Sequence, residues 1–272
     1  MIERRHLDHD GIRFAYADRG AGPAMVLQHG LGGDAEQPAG LYAFAGRQLV
    51  LECRGHGATQ PLGPEAALSF GTFAADLRAL LARLGIGDLI LGGISMGAGV
   101  ALRFALEEPG RVRALVLVRP AWLDRPHPPN LAIFPEIAAL LRSSAATEAR
   151  ERLLRSPRYA AIGAVSATTA ASAAAQLDRP FARERAAVLE RLPADAPIGA
   201  DLSPLTMPAL VVGNPRDPVH PLELAAELAA RVPAARLAVV APKEDGEERH
   251  RREVGAAIDA LLGSLDQRAG RA

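Results

Sequence analysis

The stretch Leu89-Ile90-Leu91-Gly92-Gly93-Ile94-Ser95-Met96-Gly97-Ala98-Gly99 constrains this chain more than any other. An apolar, strand-like run ends in Gly93-x-Ser95-x-Gly97, and a helical pattern starts at once. A serine on so sharp a strand-to-helix turn stands clear of its sheet, and the flanking glycines let other backbone close in around it. The Met96 N–H falls at the start of the following helix, where amide donors lack internal partners and the dipole favours negative charge. One turn can therefore present a nucleophile and help to stabilise an oxyanion.

Strand and helix patterns alternate on either side of this turn. Residues 2–8 and 11–17 read as two strands joined at Asp10-Gly11. The runs Ala24 to Gln28, Gln48 to Leu51, Val112 to Val118 and Pro208 to Gly213 are almost continuously apolar, as strands of a parallel sheet covered on both faces must be. Phe70, Phe73, Ala74, Leu77, Leu80, Leu81 and Leu84 recur at helical spacing, and Gly85 supplies a stop. A helix over 221–231, a strand over Arg236 to Val240 and a last helix to about Leu265 close the pattern. Such alternation is the mark of right-handed βαβ units. The expected fold class is α/β, with a doubly wound, mostly parallel sheet. Residues 1–118 and 201–272 form its core. Residues 119–200, Ala- and Leu-rich after the Pro-rich Pro126-His127-Pro128-Pro129, form a helical lid or cap insertion.

Composition excludes more than it assigns. The 31 basic and 31 acidic residues balance, which gives no electrostatic case for a nucleic-acid or membrane partner. Among the basic residues Lys243 is the one lysine. Cys53 is the only cysteine, so an internal disulfide and a Cys-rich metal site are both excluded. The first residues carry no apolar signal core, and no apolar run approaches the length of a membrane span. The expectation is a cytoplasmic protein acting on a small-molecule substrate, with no cofactor and no metal; oligomeric state is not legible.

These motifs together resemble the α/β-hydrolase superfamily, in its lid-bearing esterase, enol-lactonase and C–C hydrolase branch. The resemblance covers about residues 10–118 and 205–264. It implies that Ser95 is the nucleophile. It also implies that His29-Gly30-Leu31-Gly32-Gly33 is the oxyanion-hole loop, so that Leu31 and Met96 N–H groups are the two donors. His29 is then a structural or pocket residue, and Arg54-Gly55-His56-Gly57 a loop that shapes the fold beside the pocket. Asp217, in Asn214-Pro215-Arg216-Asp217-Pro218-Val219-His220, matches the acid that orients the base, at the carboxyl end of a strand where open α/β sheets place their sites. Asp124 is the fallback acid.

The base departs from the family pattern. The family's histidine follows the last strand, and here that position falls at Glu244 or Asp245. His250 shares the inward face of the last helix with Val254 and is the first candidate; Asp245-Gly246-Glu247-Glu248 resembles a capping box that would put it in the second turn. His220, three residues beyond Asp217, is the second. If neither reaches Ser95, then Asp245 or Glu244 is left as a general base with a raised pKa. Arg119 and Trp122, directly after a sheet strand, face the insertion and are pocket candidates. Arg119 carries the fork that a substrate carboxylate or a hinge salt bridge requires.

Three functions stay open on these residues. The leading one is a cofactor-independent serine hydrolase acting on an ester, lactone or related carbonyl compound through an acyl-enzyme, in a lidded apolar pocket. The second is a cyclase, lyase or isomerase on the same fold. The third is a receptor that binds without turnover.

Overall fold

The computed structural model describes residues 2–269. The strands are β1 (Arg5–His9), β2 (Ile12–Arg19), β3 (Ala24–Gln28), β4 (Arg47–Leu51), β5 (Leu89–Ile94), β6 (Val112–Val118), β7 (Ala209–Gly213) and β8 (Ala235–Val239). They form one sheet in the order β1-β2-β4-β3-β5-β6-β7-β8. β1, β2 and β4 pair antiparallel and every other neighbour pairs parallel. The β1–β2 turn places Asp10 and Gly11 both at positive φ, as a two-residue type I′ hairpin demands.

Helices α1 (Glu36–Leu41), α2 (Phe70–Arg83) and α3 (Met96–Glu107) precede β6, while α9 (Leu222–Arg231) and α10 (Glu247–Ala269) follow β7 and β8. Between β6 and β7 lie α4 (Ile133–Ser143), α5 (Ala146–Leu154), α6 (Pro157–Val165), α7 (Ala167–Ala174) and α8 (Ala182–Arg191), with no strand among the described residues. The short α1 has no counterpart in the sequence reading. Six residues with Pro38 inside leave no amphipathic period to detect.

The central strands of the sheet are buried on both faces. One apolar layer sets β-strand residues such as Val26, Leu91 and Leu115 against Leu77, Leu80 and Leu102 of α2 and α3. The other sets Leu27, Ile94 and Val116 against Val254, Ile258 and Leu261 of α10. Fully buried aliphatic side chains of this kind contribute about 1.5–3 kcal/mol each. α2 starts where Ser69 Oγ accepts the Thr72 N–H at 3.2 Å, a capping bond that the period alone cannot locate.

A third apolar cluster joins the insertion to the core. Phe134, Ile137 and Leu141 of α4 and Val188 and Leu189 of α8 pack with Phe70, Met96 and Val100, so the insertion sits on the turn that carries Ser95. Trp122 belongs to this layer. It is 2% exposed, meets Phe70 edge-on at 5.3 Å and donates its indole N–H to Leu192 O at 3.1 Å. A pocket role for Trp122 is therefore corrected: its polar tip is used in holding the insertion down, and it does not line the cavity beside Ser95. No helix among the described residues is long and apolar enough to cross a membrane.

Candidate active site

Ser95 occupies the junction of β5 and α3 with φ +54° and ψ −110°, a conformation that costs about 1–3 kcal/mol for a non-glycine residue. Close packing around it holds the turn. A Cβ on Gly93 would lie 2.1 Å from the Gly97 carbonyl carbon, and one on Gly97 would lie 2.3 Å from Gln28 O. Neither position accepts a side chain. The Ser95 N–H donates to Val118 O at 2.9 Å, which ties the turn to the neighbouring strand.

The histidine that reaches this hydroxyl is His220. Its Nε2 lies 2.8 Å from Ser95 Oγ, and its Nδ1 lies 2.9 Å from Asp217 Oδ2. An ionised carboxylate only accepts, so Nδ1 carries the proton and donates to Asp217; Nε2 is then the acceptor and Ser95 O–H the donor. Asp217 is held in turn by its own loop and by the insertion. The Val219 and His220 N–H groups donate to Oδ1, both at 3.2 Å, and so does the Thr169 hydroxyl of α7. Arg119 Nη1 lies 3.4 Å from Oδ2.

The electrostatics fix the protonation states. Burial works to raise the Asp217 carboxyl, but the His220 imidazole and its hydrogen bond, followed by Arg119, outweigh it and hold the group well below the usual carboxylate range. Burial lowers His220 below the ordinary imidazole value, against the opposing pull of Asp217. The resting state is therefore neutral imidazole beside carboxylate, with a free lone pair facing a hydroxyl. Such an arrangement can accept the hydroxyl proton as a bond forms at Oγ.

His250 stands elsewhere. It is the fourth residue of α10, 1% exposed, and its Nδ1–H donates to Ala241 O at 2.7 Å. Gly246, at φ +119°, stops the preceding turn, so the helix begins at Glu247 and places the imidazole beneath the β8 loop. The expectation that His250 reaches Ser95 is thus corrected: the histidine within hydrogen-bond distance of the hydroxyl is His220. The carboxylate alternatives are also placed away from Ser95. Asp245 pairs with Arg216 on the surface, and Glu244 accepts from Ser166 and Thr168 of the insertion. Asp124, the fallback acid, pairs with Arg231 at 2.9 Å.

His29 has no exposed atom facing the cavity. The Cys53 N–H donates to its Nε2 at 3.0 Å, leaving Nδ1–H to donate to Gly30 O at 2.9 Å. As a pocket residue it is corrected to a structural one, and burial accordingly keeps its imidazole below the ordinary pKa. It still bears on the site. Gly30 O also accepts from the Gly33 N–H at 2.9 Å. Both donors fix the peptide plane whose other end is the Leu31 N–H. That N–H has no protein acceptor among the described residues, and Leu31 lines the same cavity as Ser95 and His220. The Met96 N–H, first in α3, likewise has no acceptor within its helix.

The cavity differs from the apolar pocket expected of the lid. Leu31, Ile94, Phe134, Ala173 and Val219 supply apolar wall, but Gln37, Thr168, Thr169, Ser172 and Gln176 supply hydroxyls and amides, and Arg119 and Lys243 supply charge. Sequence reasoning missed Gln37, Thr169, Gln176 and Lys243. For Lys243 a signal existed, since it is the one lysine in an arginine-rich chain. The others lie on helices whose composition is generic, and only tertiary packing brings them here.

A model of the alpha/beta hydrolase fold matches residues 23–244, and the chain belongs to that family. Among relatives it is 34% identical over 111 residues to an uncharacterised protein of Mycobacterium tuberculosis, a match covering 40% of this chain and 32% of that one. It is 36% identical over 114 residues to a non-heme chloroperoxidase of Kitasatospora aureofaciens, covering 40% and 41%. The chain thus spans well under half the length of these curated relatives. Among solved structures it is similar to a thermophilic esterase from Thermogutta terrifontis, at 24% identity, TM-score 0.68 and coverage of 97% and 99%. It is also similar to the enol-lactonase from Burkholderia xenovorans, at 20% identity, TM-score 0.69 and coverage of 96% and 98%. Identities this low show the shared fold.

Proposed function

We propose that this protein is a serine hydrolase of small carbonyl compounds, an ester or lactone hydrolase working through an acyl-enzyme. The observation that carries the reading is the unbroken line Ser95 Oγ, His220 Nε2, His220 Nδ1, Asp217 Oδ2, with links of 2.8 and 2.9 Å. In acylation, Ser95 Oγ bonds to the substrate carbonyl carbon while its proton passes to His220 Nε2. The carbonyl π electrons move to oxygen, and the Leu31 and Met96 N–H groups stabilise that oxyanion. As the carbonyl re-forms, the C–O bond to the alcohol breaks, and His220 returns the proton to the departing oxygen. Water then repeats the sequence, its proton taken by His220 and delivered to Ser95 Oγ as the acid leaves.

Asp217 keeps the imidazole in the required tautomer and stabilises its transient positive charge. Similarity to an esterase and to an enol-lactonase supports this substrate range. The approach of His220 to Ser95 supports a histidine base over the carboxylate base of the cyclase or lyase alternative. The test is a Ser95→Ala variant assayed on short p-nitrophenyl esters, together with fluorophosphonate labelling of the unaltered enzyme. Turnover falls to background and labelling maps to Ser95 if the reading holds. Unchanged turnover in Ser95→Ala overturns it.

A further inference from the structure

The polar cavity beside Ser95 carries a charge imbalance that hydrolysis as such does not need. Two cationic side chains, Arg119 and Lys243, line it, and among the described residues no Asp or Glu does. Asp217 lies behind His220, engaged on both oxygens. The same two cations also line the adjoining cavity under α1 and α10, so they form the wall between the two spaces. A neutral ester or lactone has no use for such a wall, and the cost of holding two like charges together is left without an evident return.

Glu36 and Glu247 line the adjoining cavity, yet each cation keeps N–H donors that no described residue accepts. Arg119 has one contact with Asp217, through Nη1 at 3.4 Å, and its buried Nε has no partner among the described residues. The Lys243 ammonium makes no hydrogen bond or ion pair with any described residue, although its chain position follows β8, at the end of the sheet nearest the site. The Arg119 guanidinium, and burial after it, bring the Lys243 ammonium down to about 8, so it remains charged at neutral pH. Around them stand donors suited to an anion's remaining lone pairs, the hydroxyl of Ser172 and the amide of Gln37.

We propose that Arg119 and Lys243 form a carboxylate subsite, and that the substrate is an ester or lactone bearing a second, free carboxylate that docks between them while its reacting carbonyl faces Ser95. This deepens the reading of the site as a hydrolase and rests on it for the reaction, though not for the binding. Guanidinium and ammonium differ usefully here: the planar fork fixes the carboxylate in orientation and the lysine supplies a compact point charge.

The experiment compares three ethyl esters of matched length, monoethyl succinate, ethyl butyrate and ethyl 4-(trimethylammonio)butyrate, by the ethanol each releases. Expected is a kcat/KM for monoethyl succinate at least about tenfold above that for ethyl butyrate, carried mainly in KM, with the cationic ester slowest. Lys243→Gln lowers the ratio of the first two about tenfold, and Lys243→Arg preserves it. In parallel, monoethyl succinate is titrated calorimetrically into Ser95→Ala and into Ser95→Ala/Lys243→Gln, where binding is expected in the first and lost in the second. Equal kcat/KM for the acid and neutral esters, or binding indifferent to Lys243, overturns the subsite. Binding that depends on Lys243 without hydrolysis of any ester overturns the hydrolase reading and leaves the subsite standing.

Discussion

The loops that follow β7 and β8 end side by side at one edge of the site, yet they have taken opposite characters. The β7 loop holds both Asp217 and His220, hydrogen-bonded to each other across three residues and aimed at Ser95. The β8 loop holds Lys243, turned to the cavity wall, and Glu244, bound to the insertion. Its nearest histidine, His250, is sealed beneath it and bonded to Ala241. Chain order is therefore a poor guide to the base. Reach to the hydroxyl and a carboxylate to set the tautomer are what count, and one loop here supplies both.

The largest effect expected from this contrast separates the two histidines. On the proposed mechanism His220→Ala lowers kcat by a factor on the order of 10⁴ to 10⁶, whereas His250→Ala leaves kcat per folded molecule within about threefold, as steady-state ester hydrolysis will measure. An inverted result would return the base to the β8 side. Asp217→Asn is expected to cost on the order of 10⁴ in kcat, since the amide presents a donor to Nδ1 and favours the wrong tautomer; fluorophosphonate labelling should slow in step.

A smaller effect falls on stability. His250→Ala abandons a buried acceptor at Ala241 O and should lower unfolding free energy by about 1–3 kcal/mol in urea, with little change in the apparent KM. Smaller again is the pH effect. His220 works in its neutral form, and burial lowers its pKa, so the acid limb of kcat/KM should lie below the ordinary imidazole value of about 6.5. A limb at or above that value would mean that Asp217, rather than burial, governs the imidazole.

Much of the framework was legible because its signals are local. Continuous apolar strands, the helical stripe ending at Gly85 and the glycines about Ser95 each encode one element, and the sheet follows from their alternation. The proposed acid was legible for the same reason, at a strand end before Pro218. The proposed base was not, because the histidine that reaches Ser95 is set by a distance between β5 and the β7 loop that no local pattern carries. Counting back from the final helix gave Glu244 or Asp245, and the face shared with Val254 pointed to His250; Gly246 at positive φ places that helix so that the imidazole turns inward beneath β8. The cavity's polarity was equally hidden, since Thr168, Ser172 and Gln176 read as ordinary helix surface until the insertion folds over the sheet.

One consequence follows from the proposed acid and base sharing a four-residue turn, Asp217 to His220, that contains Pro218 and is followed by Pro221. When the two groups come from separate loops, folding must align three independent pieces to sub-ångström tolerance. Here the spacing of carboxylate and imidazole is set within one short turn, and only one alignment, that turn against the serine, is left to long-range packing. The outermost strand, whose Val239 is 57% exposed, then carries neither member of the hydrogen-bonded pair that faces Ser95.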